Sequence, residues 1–167
     1  MLANPVIEVA GAQLRPWASS DAPRLIEAWT DADIARWNGV PADTTLGAGE
    51  RWISGVAARL AGRLSVDWVI ETPQLGVIGE VGLSGFSEAH SGALIGYWLL
   101  PQARGKGLAA KSVRACTEWA HNDLALDSII ARCDPANSAS HAVANAAGYR
   151  LEATDKSGEQ LWRSQRF

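Results

Sequence analysis

Cysteine is scarce in this chain: Cys116 and Cys133 are the only two in 167 residues. Two isolated thiols exclude a disulfide framework and fit no metal-ligand spacing, so both read as reduced and buried. No metal site is visible among the three histidines. No apolar run approaches the ~18 residues that a membrane span needs. The opening segment Met1 to Val9 lacks the basic start and long apolar stretch of a secretory signal, so the expectation is a cytoplasmic protein with no membrane partner. Neither sign of charge dominates: 15 Lys and Arg stand against 18 Asp and Glu, a formal charge of −3. That balance weighs against nucleic acid as the main partner, because a phosphate backbone calls for a basic face. It suits a cationic partner better.

What is present is an ordinary globular composition, 47% hydrophobic and 20% charged, with eight scattered tryptophans and no repeat. The length predicts one domain over residues 1–167, long enough to bury its own core. A first strand is expected at Gln13 to Trp17. Ser19, Ser20 and Asp21 offer caps for a helix running to Trp29, with Pro23 tolerated in its first turn. Asp31 to Trp37 reads as a short helix, Asn38 to Gly49 as a loop, and Glu50 to Leu64 as a helix with Trp52, Val56 and Leu60 on one face. Period-two patterns then give strands at Ser65 to Glu71, Val77 to Leu83 and Gly92 to Leu100, with Ser84 to Ser91 as a loop. Gly105 to Asn122 reads as a helix, Ser128 to Cys133 as a strand and Ser138 to Ala147 as a helix. Closing strands follow at Tyr149 to Thr154 and Gln160 to Phe167. The hairpin-like run implies antiparallel pairing, whereas Gly92 to Cys133 needs a crossover and hence a parallel pair. The fold class is α+β, a mixed and mostly antiparallel sheet with helices on both sides.

Between the third of those strands and the long helix lies Pro101-Gln102-Ala103-Arg104-Gly105-Lys106-Gly107-Leu108-Ala109. Gly105 and Gly107 carry no side chain that blocks an approaching anion, so successive backbone N–H groups can converge on one. The helix start behind them adds orphan donors and a positive dipole end. Arg104 and Lys106 add charge suited to phosphate oxygens. A plain glycine turn at a helix start fits the loop equally well. The spacing is not a Walker loop. It resembles the dinucleotide fingerprint only loosely, and the three preceding strands do not suit a doubly wound sheet. A second segment, Asp134-Pro135-Ala136-Asn137-Ser138-Ala139-Ser140, follows the next strand, with Asn137 or Ser138 as helix cap and Gly148 as its terminator.

Taken together, Ile95-Gly96-Tyr97-Trp98-Leu99-Leu100-Pro101, Arg104-Gly105-Lys106-Gly107, Asn137-x-x-Ser140 and Gly148-Tyr149 resemble the GNAT acetyltransferase superfamily. The resemblance is greatest to the RimJ/RimL type of ribosomal-protein N-terminal acetyltransferases and extends to the opening Leu14-Arg15-Pro16-Trp17. It implies a sheet of about seven strands with about four helices, in which a splayed parallel strand pair opens a cleft for acetyl-CoA as co-substrate. By that resemblance Trp98, Leu99 and Leu100 offer backbone groups to the pantetheine arm. Arg104, Gly105, Lys106, Gly107, Leu108 and Ala109 hold the pyrophosphate. Asn137 hydrogen-bonds the pantetheine or thioester region, and Ser140 lies near the sulfur. It also allows a homodimer.

The implied reaction is direct attack of a primary amine on the thioester, which needs a neutral amine, a polarised carbonyl and a proton for the departing thiolate. Leu99 or Leu100 N–H is the candidate carbonyl donor. Many members carry a tyrosine acid four residues after Ser140; here that position is Ala144, so Ser140 or a water it holds is the candidate acid. Glu80 is the candidate base, acting through a water, and it fits a solvated strand position as well. His90, His141 and Glu88 read as surface residues. At pH 7 about one α-amine in seven is neutral against about one lysine in 2,500, a gap of ~3.5 kcal/mol. The expected acceptor is therefore a protein N-terminal α-amine or a small-molecule amine. Trp29, Trp37 and Trp52 suit either the core or an aromatic acceptor pocket. Two other readings stay open: a catalytically inert acyl-CoA-binding regulatory module, and a nucleotide-binding domain using the same loop.

Overall fold

One eight-stranded sheet organises the chain in the computed structural model, which describes residues 2–166. Its strands are β1 (Ile7–Val9), β2 (Ala12–Pro16), β3 (Ser65–Thr72), β4 (Gly76–Ser87), β5 (Gly92–Leu99), β6 (Ser128–Cys133), β7 (Arg150–Thr154) and β8 (Gln160–Gln165). They run in the order β1-β2-β3-β4-β5-β6-β8-β7. Every neighbouring pair is antiparallel except β5 and β6, which are parallel. The helices are α1 (Ala22–Thr30), α2 (Ala32–Trp37), α3 (Leu46–Ser54), α4 (Val56–Ala61), α5 (Leu108–Asp123) and α6 (Ser138–Ala146). The mixed, mostly antiparallel sheet is as expected, with eight strands and six α-helices among the described residues.

The period of two in β3 sorts its side chains between two cores. Val66, Trp68 and Ile70 join the core beneath α5, where Trp68 meets Trp119 edge-on at 5.0 Å. Val69 faces the other way, into a core with Leu25 and Trp29 of α1 and Ile53 of α3. Helices therefore cover both faces. On the α5 side the hydroxyls of Thr117 and Tyr149 lie 2.6 Å apart and Thr117 donates to the Val113 carbonyl, whereas the buried Ser112 hydroxyl has no hydrogen-bond partner among the described residues.

β1 is a strand that the sequence pattern did not show, α5 starts at Leu108 rather than Gly105, and three further segments differ from expectation. The Asn38 to Gly49 stretch is not all loop, because Thr45 caps α3 by accepting from Ala48 N–H and the helix starts at Leu46. Gly49 is helical and buried, and a Cβ there would stand 3.0 Å from Ile26 Cδ1. Its smallness serves close packing of α3 on α1. The expected helix over Glu50 to Leu64 is two helices, α3 and α4, meeting at Gly55. The expected Ser84 to Ser91 loop is shorter, since β4 continues to Ser87 past a bulge at Gly85, which has φ +59°.

The parallel pair matters most. β5 and β6 pair only from Gly92↔Ser128 to Ile95↔Ala131. Beyond Ile95, β5 stays on β4 while Arg132 and Cys133 of β6 stay on β8. The two strands part, and a wedge opens between their C-terminal ends. Among the described residues no helix is long and apolar enough to cross a membrane.

Candidate active site

The wedge leads into a cleft of about 810 Å³, bordered by Gly96 to Leu99 of β5, Arg104 to Ala110, and residues from Arg132 to Ser140. That volume lies within the range of small-molecule and cofactor sites.

Its floor is the glycine loop. Gly105 and Gly107 have φ of +77° and +72°, a region that strains any other residue, and a Cβ on either would meet no atom within 4 Å. Conformation rather than crowding requires glycine here, and the space above both is open. Gly107 is the N-cap of α5 and supplies no side-chain cap. The first-turn N–H groups of α5 thus remain available to an anion. Leu108 and Ala109, in the first turn of α5, are buried and line the cleft. Lys106 is exposed beside them.

Arg104 departs from its expected phosphate role. Its Nη1 and Nη2 pair with Asp33 at 3.0 Å and Asp31 at 3.1 Å, and its Nε donates to the Leu99 carbonyl at 3.0 Å. Two carboxylates at the start of α2 draw the guanidinium away from the glycines. Asp31 also accepts from Ile34 N–H, the main reason its carboxyl titrates below the ordinary aspartate range, with Arg104 adding to the effect. Arg132 at the rim is likewise ion-paired, to Glu159.

On β5 the ladder decides which backbone groups face the wedge. Leu100 N–H donates to the Ile78 carbonyl at 2.8 Å. Antiparallel pairing alternates, so Trp98, directly opposite Glu80, also spends its backbone groups on β4. Tyr97 and Leu99 turn theirs toward the wedge. Of the candidate carbonyl donors, only Leu99 N–H points into the opening.

Asn137 caps α6 through its Oδ1, which accepts from Ser140 N–H at 3.0 Å, and it lines the cleft. Ser140 sits in the first turn of α6. Its Oγ lies 3.0 Å from Tyr97 Oη and 3.2 Å from Cys133 Sγ, while Tyr97 Oη donates to the Ser140 carbonyl at 3.1 Å. Burial pushes both the Tyr97 phenol and the Cys133 thiol upward, so both hold their protons at neutral pH. Ala144 is fully buried in the core. Tyr97 was quoted in the sequence only as part of a motif. The signal that could have found it is the period of two, which puts it on the face shared with Ile95 and Leu99.

Glu80 is not a solvated strand residue. It is partly buried at a second cavity of about 210 Å³, lined also by Trp29, Trp52 and Trp98. The indole N–H of Trp17 donates to its Oε2 at 3.0 Å. Desolvation chiefly, with the nearby Asp67, raises its carboxyl from 4.5 to about 8, although hydrogen bonding by Trp98 and Trp17 opposes the rise. Trp98, Ile34 and Asn38 border both cavities, so the two adjoin. Glu80 shares its face with Val69 on the α1 side, while Tyr97 packs on the α5 side. The carboxyl and the Ser140–Tyr97 pair thus approach the wedge from opposite faces of the sheet. Trp37 lines the larger cleft and not the smaller cavity. Of the other candidates, His90 and Glu88 are exposed, and His141 bonds the Asp134 carbonyl and stacks on Trp162.

A splayed parallel strand pair, a glycine-lined helix start and polar groups on either side make a cleft with the room and the free backbone N–H groups for an extended, phosphate-bearing ligand. The sequence profile of the acetyltransferase (GNAT) domain matches residues 12–150, and the chain belongs to that family. It is an acyl-CoA-dependent acetyltransferase. Solved structures that share its fold include the following three. RimJ of Mycobacterium smegmatis, in complex with CoA-disulfide, is 21% identical over 97% of this chain and 86% of its own, with a TM-score of 0.83. A ribosomal-protein-S5-alanine acetyltransferase from Vibrio fischeri is 21% identical over 97% of both chains, at 0.82. A RimL ribosomal α-N-protein acetyltransferase in complex with coenzyme A is 18% identical over 96% of this chain and 98% of its own, also at 0.82. No curated protein matches the chain by sequence.

Proposed function

We propose that the chain transfers an acetyl group from acetyl-CoA to the α-amine of a protein N-terminus or to a small-molecule amine of similar basicity. The observation that carries this reading is the meeting of the two cavities at Trp98, with Glu80 in the smaller one. A donor lying in the glycine-lined cleft and an acceptor entering past Glu80 converge there. The cleft fits the donor on its own features: open space over Gly105 and Gly107, an uncapped α5 start and the unpaired edge of β5.

Acetyl-CoA supplies the acetyl group as a thioester. Gly105, Lys106, Gly107, Leu108 and Ala109 hold the pyrophosphate, mostly through backbone N–H groups. Asn137 offers its amide nitrogen to the pantetheine arm while its oxygen caps α6. Leu99 N–H polarises the acetyl carbonyl. Glu80 takes the proton of the incoming ammonium, directly or through one water. A base near 8 is matched to an α-amine near 7.8, whereas a lysine near 10.4 would give up its proton ~3 kcal/mol uphill. Ser140, backed by Tyr97, relays a proton to the departing sulfur from the opposite face, and its hydroxyl is restored by the proton that the amine nitrogen sheds on becoming the amide.

Acceptor preference is tested by comparing kcat/KM on peptides with a free N-terminus against N-terminally blocked peptides carrying one internal lysine. The α-amine series is expected to lead by at least about a hundredfold. A lead for the lysine series contradicts the assignment.

A further inference from the structure

The smaller cavity has a composition that says what the acceptor carries besides its amine, an inference that rests on the function proposed above. Three indoles, Trp29, Trp52 and Trp98, line it together with aliphatic side chains such as Leu25 and Val40. Among the described residues its only ionisable lining residue is Glu80, and no lysine, arginine or histidine borders it. The indoles are braced rather than loose. Trp29 and Trp52 meet edge-on at 6.4 Å, and Trp17 stands 5.5 Å from Trp52 and 6.5 Å from Trp98. Arg59 sits 4.2 Å over the Trp52 ring centroid, and its Nη1 donates to the Trp52 carbonyl at 3.2 Å. Its Nε lies 3.7 Å from Asp67. Arg59 thus stacks on the Trp52 ring without lining the cavity.

Each feature selects. Indole faces, and one carboxyl that once ionised pairs with the ammonium or takes up its proton, favour an amine flanked by apolar surface. An anion beside the amine would be stripped of water against Glu80, with no positive group on the cavity lining to receive it. At about 210 Å³ the cavity falls below the range that holds drug-sized ligands, so it takes one compact group.

We propose that the tryptophan box is the acceptor subsite, and that it selects a primary amine borne on a compact aromatic or branched apolar group with no carboxylate or phosphate beside it. Such an amine comes from two sources: a protein N-terminus whose first residue is bulky and apolar, or a small arylalkylamine, whose higher basicity costs it neutral amine relative to an N-terminus. Free amino acids and polyamines are excluded, the first by their carboxylate and the second by a surplus charge with no second acid to meet it.

The test is a matched acceptor series on the wild-type protein with acetyl-CoA: phenylalaninamide, phenylalanine, glycinamide, phenethylamine and a short peptide beginning with phenylalanine. Compared per neutral amine, phenylalaninamide should exceed both glycinamide and phenylalanine in kcat/KM by about tenfold or more, and phenethylamine is scored on the same scale. The Trp52→Ala variant should bring the ratio to glycinamide close to one while the Kd for acetyl-CoA stays within about twofold. The ratio of peptide to phenethylamine separates the two sources. A second readout needs no turnover: phenethylamine should quench the tryptophan fluorescence saturably, and more weakly in Glu80→Gln. Acetylation of all these amines at similar rates overturns the subsite while leaving acetyl transfer intact. Selective, saturable quenching without acetylation of any amine supports the subsite and sinks the function on which it rests. Equal quenching by phenethylamine and phenylalanine overturns it outright.

Discussion

The phenol of Tyr97 lies 3.0 Å from the hydroxyl of Ser140 and donates to the carbonyl of the same residue at 3.1 Å, joining β5 to the first turn of α6. One proton arrangement satisfies the cluster: Cys133 donates to Ser140 Oγ, Ser140 to Tyr97 Oη, and Tyr97 to the Ser140 carbonyl. The serine proton is held by the phenol until a better acceptor, a departing thiolate, stands nearby. Tyr97→Phe should slow single-turnover thiol release about tenfold, and Ser140→Ala between about ten- and a hundredfold, with acetyl-CoA affinity within about twofold for both. These losses sit at the low end for general acids because a thiol near pKa ~8.5 leaves readily. A Tyr97→Phe variant as fast as wild type would show that Ser140 works without it.

Glu80 links stability and activity with opposite signs. Its carboxyl is raised from 4.5 to about 8, chiefly by desolvation, so the native state keeps a proton that the unfolded state releases between those values. Its contribution to stability is full below about pH 4.5 and is lost as pH rises through about 8. The ionised base accumulates over the same interval, so turnover of an α-amine should climb. Thermal melts and kcat/KM measured from pH 5 to 9 on wild type and Glu80→Gln check both slopes. The variant should lose the Glu80 part of each, and the difference between the two melting curves isolates it from Asp67, whose carboxyl is also raised by burial.

The two cations of the glycine loop should separate experimentally. Arg104 is committed to Asp31, Asp33 and the Leu99 carbonyl. Arg104→Ala should lower Tm, by about 1 kcal/mol of stability or less per exposed pair, and affect the acetyl-CoA Kd little. Lys106→Ala should do the reverse, weakening acetyl-CoA several-fold at low salt and less at high salt, with Tm unchanged. Calorimetric titration at two ionic strengths, alongside melts, distinguishes them. An Arg104→Ala variant that loses affinity without losing stability would show that the guanidinium swings to the phosphates on binding.

Gly107→Ala tests the loop backbone. At φ +72° an added Cβ costs roughly 1–2 kcal/mol, and it meets no protein atom. Either the loop keeps its shape and the protein loses that stability, or it relaxes and the N–H groups no longer converge. Relaxation is the expected course, seen as about a tenfold weaker acetyl-CoA Kd with a small fall in Tm.

The sequence made the glycine loop legible because its chemistry is local. Gly105, Gly107 and the helix start lie within a few residues, and positive φ leaves its mark as glycine. The parallel pair was equally readable, since the crossover from β5 to β6 permits little else. What escaped depends on distant partners or on glycines used for packing. The tie of Arg104 to Asp31 and Asp33 spans some seventy residues, so a cation placed for phosphate looked the same as one placed for a carboxylate. Gly49 read as loop because smallness for packing and freedom for turning share one residue type. β1 is three residues long, too short for a period to show. Glu80 had no local sign of burial, because its desolvation comes from tryptophans far away in sequence, such as Trp17.

The most direct test of acetyl transfer in this wedge is thiol release from acetyl-CoA by the purified protein, with its binding followed by calorimetry and phenylalaninamide as acceptor. The account predicts saturable acetyl-CoA binding and amine-dependent thiol release, matched mole for mole by acetylated amide and greatly reduced in Glu80→Gln. Binding of acetyl-CoA without thiol release, on this acceptor and on N-terminal peptides alike, would contradict it.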